Sequence, residues 1–476
     1  MTHPLSSSAT RAVVLGGGLS GTLAAAALAS HVDEVLILDH DVLPDEPKAR
    51  RRLPHGDHAH MLWAGGADAM DQLLPGVIQE CLDAGAHRIP VPTGMVSYAP
   101  AGWFRRSWEP THYLIGALRQ ELDLVVRRRV LALPTVSVRS GVKAIGLVGN
   151  AAKVRGVRVR NEDQEPETIS ADLVVDATGR GSKSPIWLEE IGGPRIREIT
   201  VDAGVRYASR LYKAPAGADK DWPVIHIQAD PRDGTPGRVA SIISVGGGRW
   251  HVSLSGTRGG EPTAQEDQFE LFARNARHPL VADVLARAEP ISSVAVYGRT
   301  ANRRRFYDRA RLPAGFVVLG DAATSLNPVY GHGMSASALG ALALRAVADS
   351  TSVLSPKFGL NAQRRIARPA ADAWLLAVGQ DRFYPGSIGA KPSIVDRIAA
   401  RYIGRLTYTA TDSAVVVKSL TDVMTMQKRA GVLFGLRVLV AAARGPRRPV
   451  LDAPPLTPFE LEILKRAPAE RPAAKH

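Results

Sequence analysis

Short apolar runs bounded by glycine alternate with Ala/Leu-rich stretches near both ends of the pattern, whereas a central region alternates residue by residue. Ala12-Val13-Val14-Leu15 has the length and β-branched content of a buried strand, and 22–30 reads as a small-residue helix. The next strand, Val35-Leu36-Ile37-Leu38, is closed by Asp39. Phe316-Val317-Val318-Leu319 repeats the strand pattern between glycines, and 334–348 gives a second Ala-rich helix. Between Gly192 and Thr300, alternation in VRYASRLYKA, PVIHIQA, GRVASIISV and RWHVSLSG predicts a mostly antiparallel sheet, with Gly246-Gly247-Gly248 as a hairpin turn. Helical signals cover 61–84 and 111–133. Strands are expected over 136–160 and 168–176, with a turn at Gly149-Asn150. From Pro356 the pattern is mostly helical.

These transitions predict an α/β chain in five stretches: 10–191, a β-rich insert over 192–300, a return segment 301–355, a helical subdomain 356–463 and a disordered tail 464–476. Residues 1–9 read as a flexible start.

The glycines carry the candidate chemistry. Gly16-Gly17-Gly18-Leu19-Ser20-Gly21 fits G-x-G-x-x-G between a strand and a helix, and Asp39 follows about twenty residues on. That arrangement puts a pyrophosphate at Gly16, Gly18, Ser20 and Gly21, and ribose hydroxyls at Asp39. In GFVVLGDAATSLNPVYGHGM, Gly320-Asp321 places a carboxylate at a strand end, where it needs hydrogen-bond donors such as the hydroxyls of a ribityl chain. Pro328 stiffens the next loop, while Gly331 and Gly333 let backbone N–H groups approach a flat ligand. The helix opening at Met334 would aim its positive end at a reduced flavin ring.

With these residues in view, the chain resembles the FAD-dependent monooxygenases related to para-hydroxybenzoate hydroxylase and squalene epoxidase, and within them bacterial polyketide epoxidases and hydroxylases. Four segments carry the likeness: GGGLSG with Asp39, LRQELDLVVRRRVLALP around Arg119, DLVVDATGRGS at 172–182, and GDAATSLNPVYGHGM. The resemblance implies a Rossmann-like FAD-binding domain with an inserted antiparallel β-sheet substrate domain and a helical C-terminal subdomain. It further implies Arg119 near the pyrophosphate or ribityl chain, Asp321 on the ribityl hydroxyls, and Pro328, Gly331, Gly333 and Met334 at the isoalloxazine ring. Two departures stand out. Thr178-Gly179 replaces an Asp-Gly pair that helps relatives bind nicotinamide phosphates, so reducing equivalents are expected from transient NAD(P)H docking or from a separate reductase. His332 and Ser335 stand where relatives often have Gln and Asn.

Composition fits an enzyme of this size: with 45% hydrophobic residues the chain can bury a large core. A single cysteine, Cys81, precludes an intrachain disulfide and points to a cytoplasmic setting. No run reaches about 18 uninterrupted apolar residues, which argues against a membrane span. The net charge of +14 is dispersed in clusters such as Arg50-Arg51-Arg52, Arg127-Arg128-Arg129 and Arg303-Arg304-Arg305, with no nucleic-acid motif. It reads as solvated surface first, and then as attraction to a carrier protein or at most peripheral membrane contact. His55, His58 and His60 have the spacing of metal ligands, but only Asp57 lies near them, so no metal is expected and a place beside the flavin is. Trp103, Phe104 and Trp250 fall within the expected substrate region, although tryptophans are more often core.

The family mechanism implies that O2 reacts with reduced flavin to give a C4a-hydroperoxide, which passes one oxygen atom to an alkene or electron-rich ring of an apolar small molecule. No protein nucleophile is needed for epoxidation, and no catalytic residue is named. An alternative on the same scaffold is a prenyl-reductase-type flavin reductase or dehydrogenase that inserts no oxygen. A halogenase would show Trp-x-Trp-x-Ile-Pro, whereas this chain has Trp250-His251-Val252-Ser253-Leu254-Ser255.

Overall fold

The computed structural model describes residues 9–161, 164–219 and 222–467. At its centre, five parallel strands lie in the order Phe316–Val318, Leu173–Asp176, Arg11–Leu15, Glu34–Asp39 and Val136–Ser140. Register aligns Leu15 with both Leu38 and Asp176, and Asp176 with Val318. Gly16, Asp39, Asp176 and Asp321 therefore emerge at one edge, the carboxyl ends of the strands, where open α/β sheets bind ligands.

The four strands other than the edge strand Val136–Ser140 bury both faces, which explains their continuous apolar runs. Val14, Ile37, Val175 and Val317 pack beneath helices Leu19–Leu28, Ala64–Leu73, Arg119–Leu131 and Gly333–Ala348. Val13, Leu38, Val174 and Val318 instead face a three-stranded antiparallel layer, Lys143–Gly149, Val154–Arg160 and Glu167–Ser170.

Two expected helices are shorter than their patterns. Met61–Trp63 is a strand paired with His112–Gly116, which also pairs with His87–Val91, so the helices begin only at Ala64 and Arg119. Cross-strand packing of Leu62, Trp63, Leu114 and Ile115 overrides local helical propensity there.

The second large sheet has eight strands, with Arg206–Lys213, Arg249–Gly256, Arg238–Ser244 and Val224–Ile227 as its antiparallel centre. It also recruits Met95–Ala99, parallel to Val224–Ile227, and Gly102–Trp103, from well before residue 192. One face carries Ala208, Tyr212, Ile242, Trp250 and Leu254 against helices Glu266–Arg274 and Leu280–Leu285. Trp103 and Trp250, at 1% and 0% exposure, belong to this core.

Helix Phe358–Asp381 packs against Gly333–Ala348, and helices Ile394–Ala410, Ala414–Met424 and Leu436–Arg444 follow. The last helix, Pro458–Lys465, has a Thr457/Glu460 capping box and sends Ile463 into the insert core, so 464 and 465 are helical where a tail was expected. The remainder of that tail, 468–476, and residues 1–8 lie outside the described residues. Among the described residues no helix is long and apolar enough to cross a membrane.

Candidate functional site

The glycine turn at the first strand is shaped by contact. Gly16 has φ +98°, and a Cβ there would lie 2.6 Å from the Ala177 carbonyl oxygen. A Cβ on Gly21 would lie 1.8 Å from the Gly16 carbonyl oxygen, so helix and turn close on each other only with glycine at both positions. Gly18 differs: open space faces it, and helix Leu19–Leu28 starts there with no side-chain cap. Its free N–H groups suit an anion. Ser20 does not face that space freely, because its hydroxyl meets the Ser337 hydroxyl at 2.8 Å and ties the two glycine-led helices together.

Asp39 is buried and already engaged. It accepts from the Gly17 N–H at 2.5 Å and the Asp41 N–H at 2.7 Å, and Arg50 reaches it at 2.8 Å while bonding the Gly17 carbonyl at 3.2 Å. Arg50 is a site residue that the sequence pattern hid inside a charge cluster. Arg119 opens its helix, is buried, and is held by Asp123 at 2.7 Å. A narrow cleft is lined by Arg50, Arg119, Gln120, Asp123 and Arg127.

At the other end, Gly320 has φ +64°, and a Cβ would lie 2.2 Å from the Ser20 hydroxyl. Among the described residues none donates a hydrogen bond to the Asp321 carboxylate, and a second cleft opens on Gly320, Asp321, Gly333 and Ser337. Burial pushes its pKa up, against the pull of Arg180, Arg119 and Arg303. Pro328–Tyr330 forms a tight turn whose first N–H, at Val329, donates to the Asn327 side chain at 3.2 Å. Gly331 (φ +66°) leaves room for Trp63 and Met61, each with an atom 3.2 Å from where a Cβ would be. Gly333 faces open space at the start of an uncapped helix. Met334 turns its side chain into the core, leaving only its backbone toward the loop. His332 and Ser335, which depart from the relatives' Gln and Asn, bind the protein's own backbone. His332 donates from Nε2 to the Met424 carbonyl at 3.0 Å, and the Ser335 hydroxyl accepts from the Trp63 N–H at 3.2 Å.

Two uncapped helix ends, open space at Gly18 and Gly333, and a carboxylate awaiting donors fit a dinucleotide carrying a hydroxylated linker. FAD is such a group.

The inner face of the eight-stranded sheet is unexpectedly polar. Register places Ser97 beside His226, His226 beside Ser241, Ser241 beside Ser253, and Ser253 beside Ser209. His226 meets the Ser241 hydroxyl at 2.7 Å, and the Ser209 and Ser253 hydroxyls meet at 2.5 Å. His58 extends this row, with Nδ1 2.8 Å from the Ser209 hydroxyl and its ring 5.9 and 5.8 Å from those of Tyr207 and Tyr297. Its Nε2 is buried without a partner among the described residues, and burial pulls its pKa down to about 4. Tyr207 connects this wall to the glycine loop by donating to Asn327 at 2.9 Å. Behind the loop, Asp381 accepts from Asn302 (2.6 Å), Asn327 (2.9 Å) and Tyr330 (2.6 Å), with its pKa raised by burial.

The profile of the FAD binding domain family matches residues 9–346. The chain belongs to this FAD-binding family. It is similar to Protein Rv3254 of Mycobacterium tuberculosis, 31% identical over 398 residues, covering 81% of this chain and 83% of the relative. It is 26% identical over 337 residues to digeranylgeranylglycerophospholipid reductase 2 of Methanopyrus kandleri, covering 68% of this chain and 73% of the relative. Two solved structures share the fold. The flavin-dependent brominase Bmp2 has a TM-score of 0.62 at 13% identity, covering 91% of this chain and 100% of its own. The anhydrotetracycline hydroxylase OxyS from Streptomyces rimosus has 0.57 at 14%, covering 87% and 76%.

In this flavoprotein the Thr178 substitution has a local explanation. Buried Asp176 accepts from the Thr178 N–H at 2.9 Å and hydroxyl at 2.6 Å, from Ser182 at 2.5 Å, and from Ser184. Thr178 thus helps hold the turn beneath Arg180, which bonds the Ala301 and Leu326 carbonyls at 2.5 and 2.9 Å. Among the described residues of the flavoprotein there is no group of three or more His, Cys, Asp or Glu side chains arranged to hold a metal ion. His60 turns back to the His58 carbonyl at 2.7 Å, and the His55 side chain lies outside the description.

Proposed function

We propose that this flavoprotein inserts one oxygen atom from O2 into a largely apolar small molecule, by epoxidation of an alkene or by hydroxylation, in specialised polyketide- or terpenoid-like metabolism. The Tyr207–Asn327 bond carries the reading, because it joins the partly polar inner sheet wall directly to the loop proposed to face the flavin. When bound, FAD supplies the redox chemistry with oxygen. The chain's own residues have three tasks. Gly16, Gly18, Gly21, Asp39 and Arg119 would hold the adenosine diphosphate end, and Asp321 the ribityl hydroxyls. Gly331, Gly333 and the backbone of Met334 would lie against the ring, with the uncapped helix end stabilising negative charge on it. His58, Ser253 and His226 would orient polar groups of a bound molecule while apolar neighbours exclude water. With Nδ1–H donating to Ser209, neutral His58 would present Nε2 as a hydrogen-bond acceptor to a substrate hydroxyl.

A second reading is favoured by the reductase relative: a flavin reductase that saturates a carbon–carbon double bond. Thr178 supports delivery of electrons by weakly docked NAD(P)H or by a separate reductase, since the position that binds nicotinamide phosphates in relatives is spent on Asp176. Turnover of candidate polyenes and aromatics with and without oxygen separates the readings. Product that vanishes without oxygen supports the monooxygenase, and product that persists supports the reductase.

A further inference from the structure

The C-terminal helices leave an apolar and cationic face uncovered. Ile394, Val395 and Ile398 of helix Ile394–Ala410 are 77%, 74% and 60% exposed, and Phe434 and Leu436 are 63% and 77% exposed. These belong to one surface. Tyr402, a helical turn beyond Ile398, stacks on Phe434 with ring centres 5.2 Å apart and donates to the Leu433 carbonyl at 2.5 Å. Arg405 bonds the Ala442 and Ala443 carbonyls at 2.6 and 2.9 Å, fixing helix Leu436–Arg444 beside it. In the latter helix Val438 and Ala442 already fill the bundle core, yet Leu436 and Val440 point outward, so it is apolar on both sides. A helix of that kind is normally covered on both.

Charge identifies what covers it. Residues 391–448 hold eleven Lys and Arg but three Asp, a large part of the chain's +14. All three acids are neutralised internally: Asp396 by Arg382 at 3.2 Å, Asp412 by Arg448 at 2.6 Å and Arg105 at 3.2 Å, and Asp422 by Lys418 and Lys428 at 3.1 and 3.2 Å. Arg397, Arg401, Arg437 and Arg444 stand exposed with no acidic partner among the described residues. Protruding aliphatic and aromatic side chains ringed by unpaired arginines match the boundary of a lipid bilayer, with apolar tips among acyl chains and guanidinium groups on phosphates.

We infer that this face docks the protein peripherally on an anionic membrane surface, with Phe434 and Leu436 inserting and Arg437 and Arg444 contacting headgroup phosphates. This inference is independent of the substrate reading. It also gives the excess positive charge a location, where the sequence had suggested mainly a dispersed, solvated surface.

Co-sedimentation of the full-length protein with vesicles tests it. Binding is expected to phosphatidylcholine vesicles containing about one third phosphatidylglycerol, weak or absent on phosphatidylcholine alone, and reduced by salt. Phe434→Ser/Leu436→Ser and Arg437→Gln/Arg444→Gln should each weaken binding about tenfold or more, with thermal unfolding and far-ultraviolet dichroism unchanged. Failure of the unaltered protein to bind anionic vesicles overturns the proposal, as does undiminished binding by both folded variants. A dimer in sedimentation velocity that the same substitutions dissolve, without vesicle binding, would show that a second copy covers the face and would also overturn it.

Discussion

The Tyr207 hydroxyl donates a 2.9 Å hydrogen bond to the Asn327 side-chain carbonyl, across 120 residues of sequence. Asn327 in turn donates to Asp381 at 2.9 Å, so one amide links the sheet wall, the glycine loop and helix Phe358–Asp381. Asn327→Ala would leave Tyr207 and Asp381 each short of a buried partner. It should lower stability by roughly 1–3 kcal/mol, and by more than Tyr207→Phe, which strands only one acceptor that Val329 still satisfies. Denaturant unfolding of both variants measures the difference.

Gly18 and Asp321 should control cofactor content without being needed for the fold. Gly18→Val would fill the open space before the first helix, and Asp321→Ala would remove the carboxylate that lacks protein donors. Each is expected to weaken FAD binding by about tenfold or more, an effect of roughly 1.4 kcal/mol. Flavin absorbance after dialysis, set beside circular dichroism of the protein, checks this.

Four imidazoles are held neutral by burial, with pKa values of about 4 for His58, His226 and His332 and about 3 for His251. The unfolded chain binds protons at these groups from about pH 6.5 downward, whereas the folded chain does so only near pH 4 and below. Their stabilisation is thus complete above about pH 6.5 and lost as pH falls from there to about 4. Burial-raised Asp321 and Asp381 act in the opposite sense, favouring the folded state as they protonate near the low end. Melting temperature should therefore drop across pH 6.5 to 4.5, and His226→Gln should make that drop shallower.

What sequence could reveal depended on range. The first strand, its glycine turn, Asp39 and the Gly320–Gly333 segment are local patterns, because each is a short apolar strand followed at once by a glycine-containing turn, legible without knowing what the turn meets. Two strands were mistaken for helix, since pairing of Met61–Trp63 with His112–Gly116 spans about fifty residues and leaves no local mark. The row from Ser97 to Ser209 was invisible for the same reason. Four serines and His226, one from each of five strands, become neighbours only through register. Arg50 looked like one of three surface arginines until folding set it on Asp39.

His58 should matter to substrate and not to cofactor. His58→Phe removes Nε2 and the contact with Ser209 while retaining an aromatic body beside Tyr207 and Tyr297. Turnover is expected to fall by about tenfold or more, with FAD content retained. Steady-state rates against flavin-normalised enzyme test this, and unchanged rates for His58→Phe would remove His58 from the site.

Oxygen transfer itself is most directly read by mass spectrometry. FAD-loaded protein, a reductant and a panel of apolar polyenes and aromatics would be incubated under ¹⁸O2. A product carrying one labelled oxygen atom, with none derived from water, is expected. A product with a saturated double bond and no label would contradict it and establish the reductase reading instead.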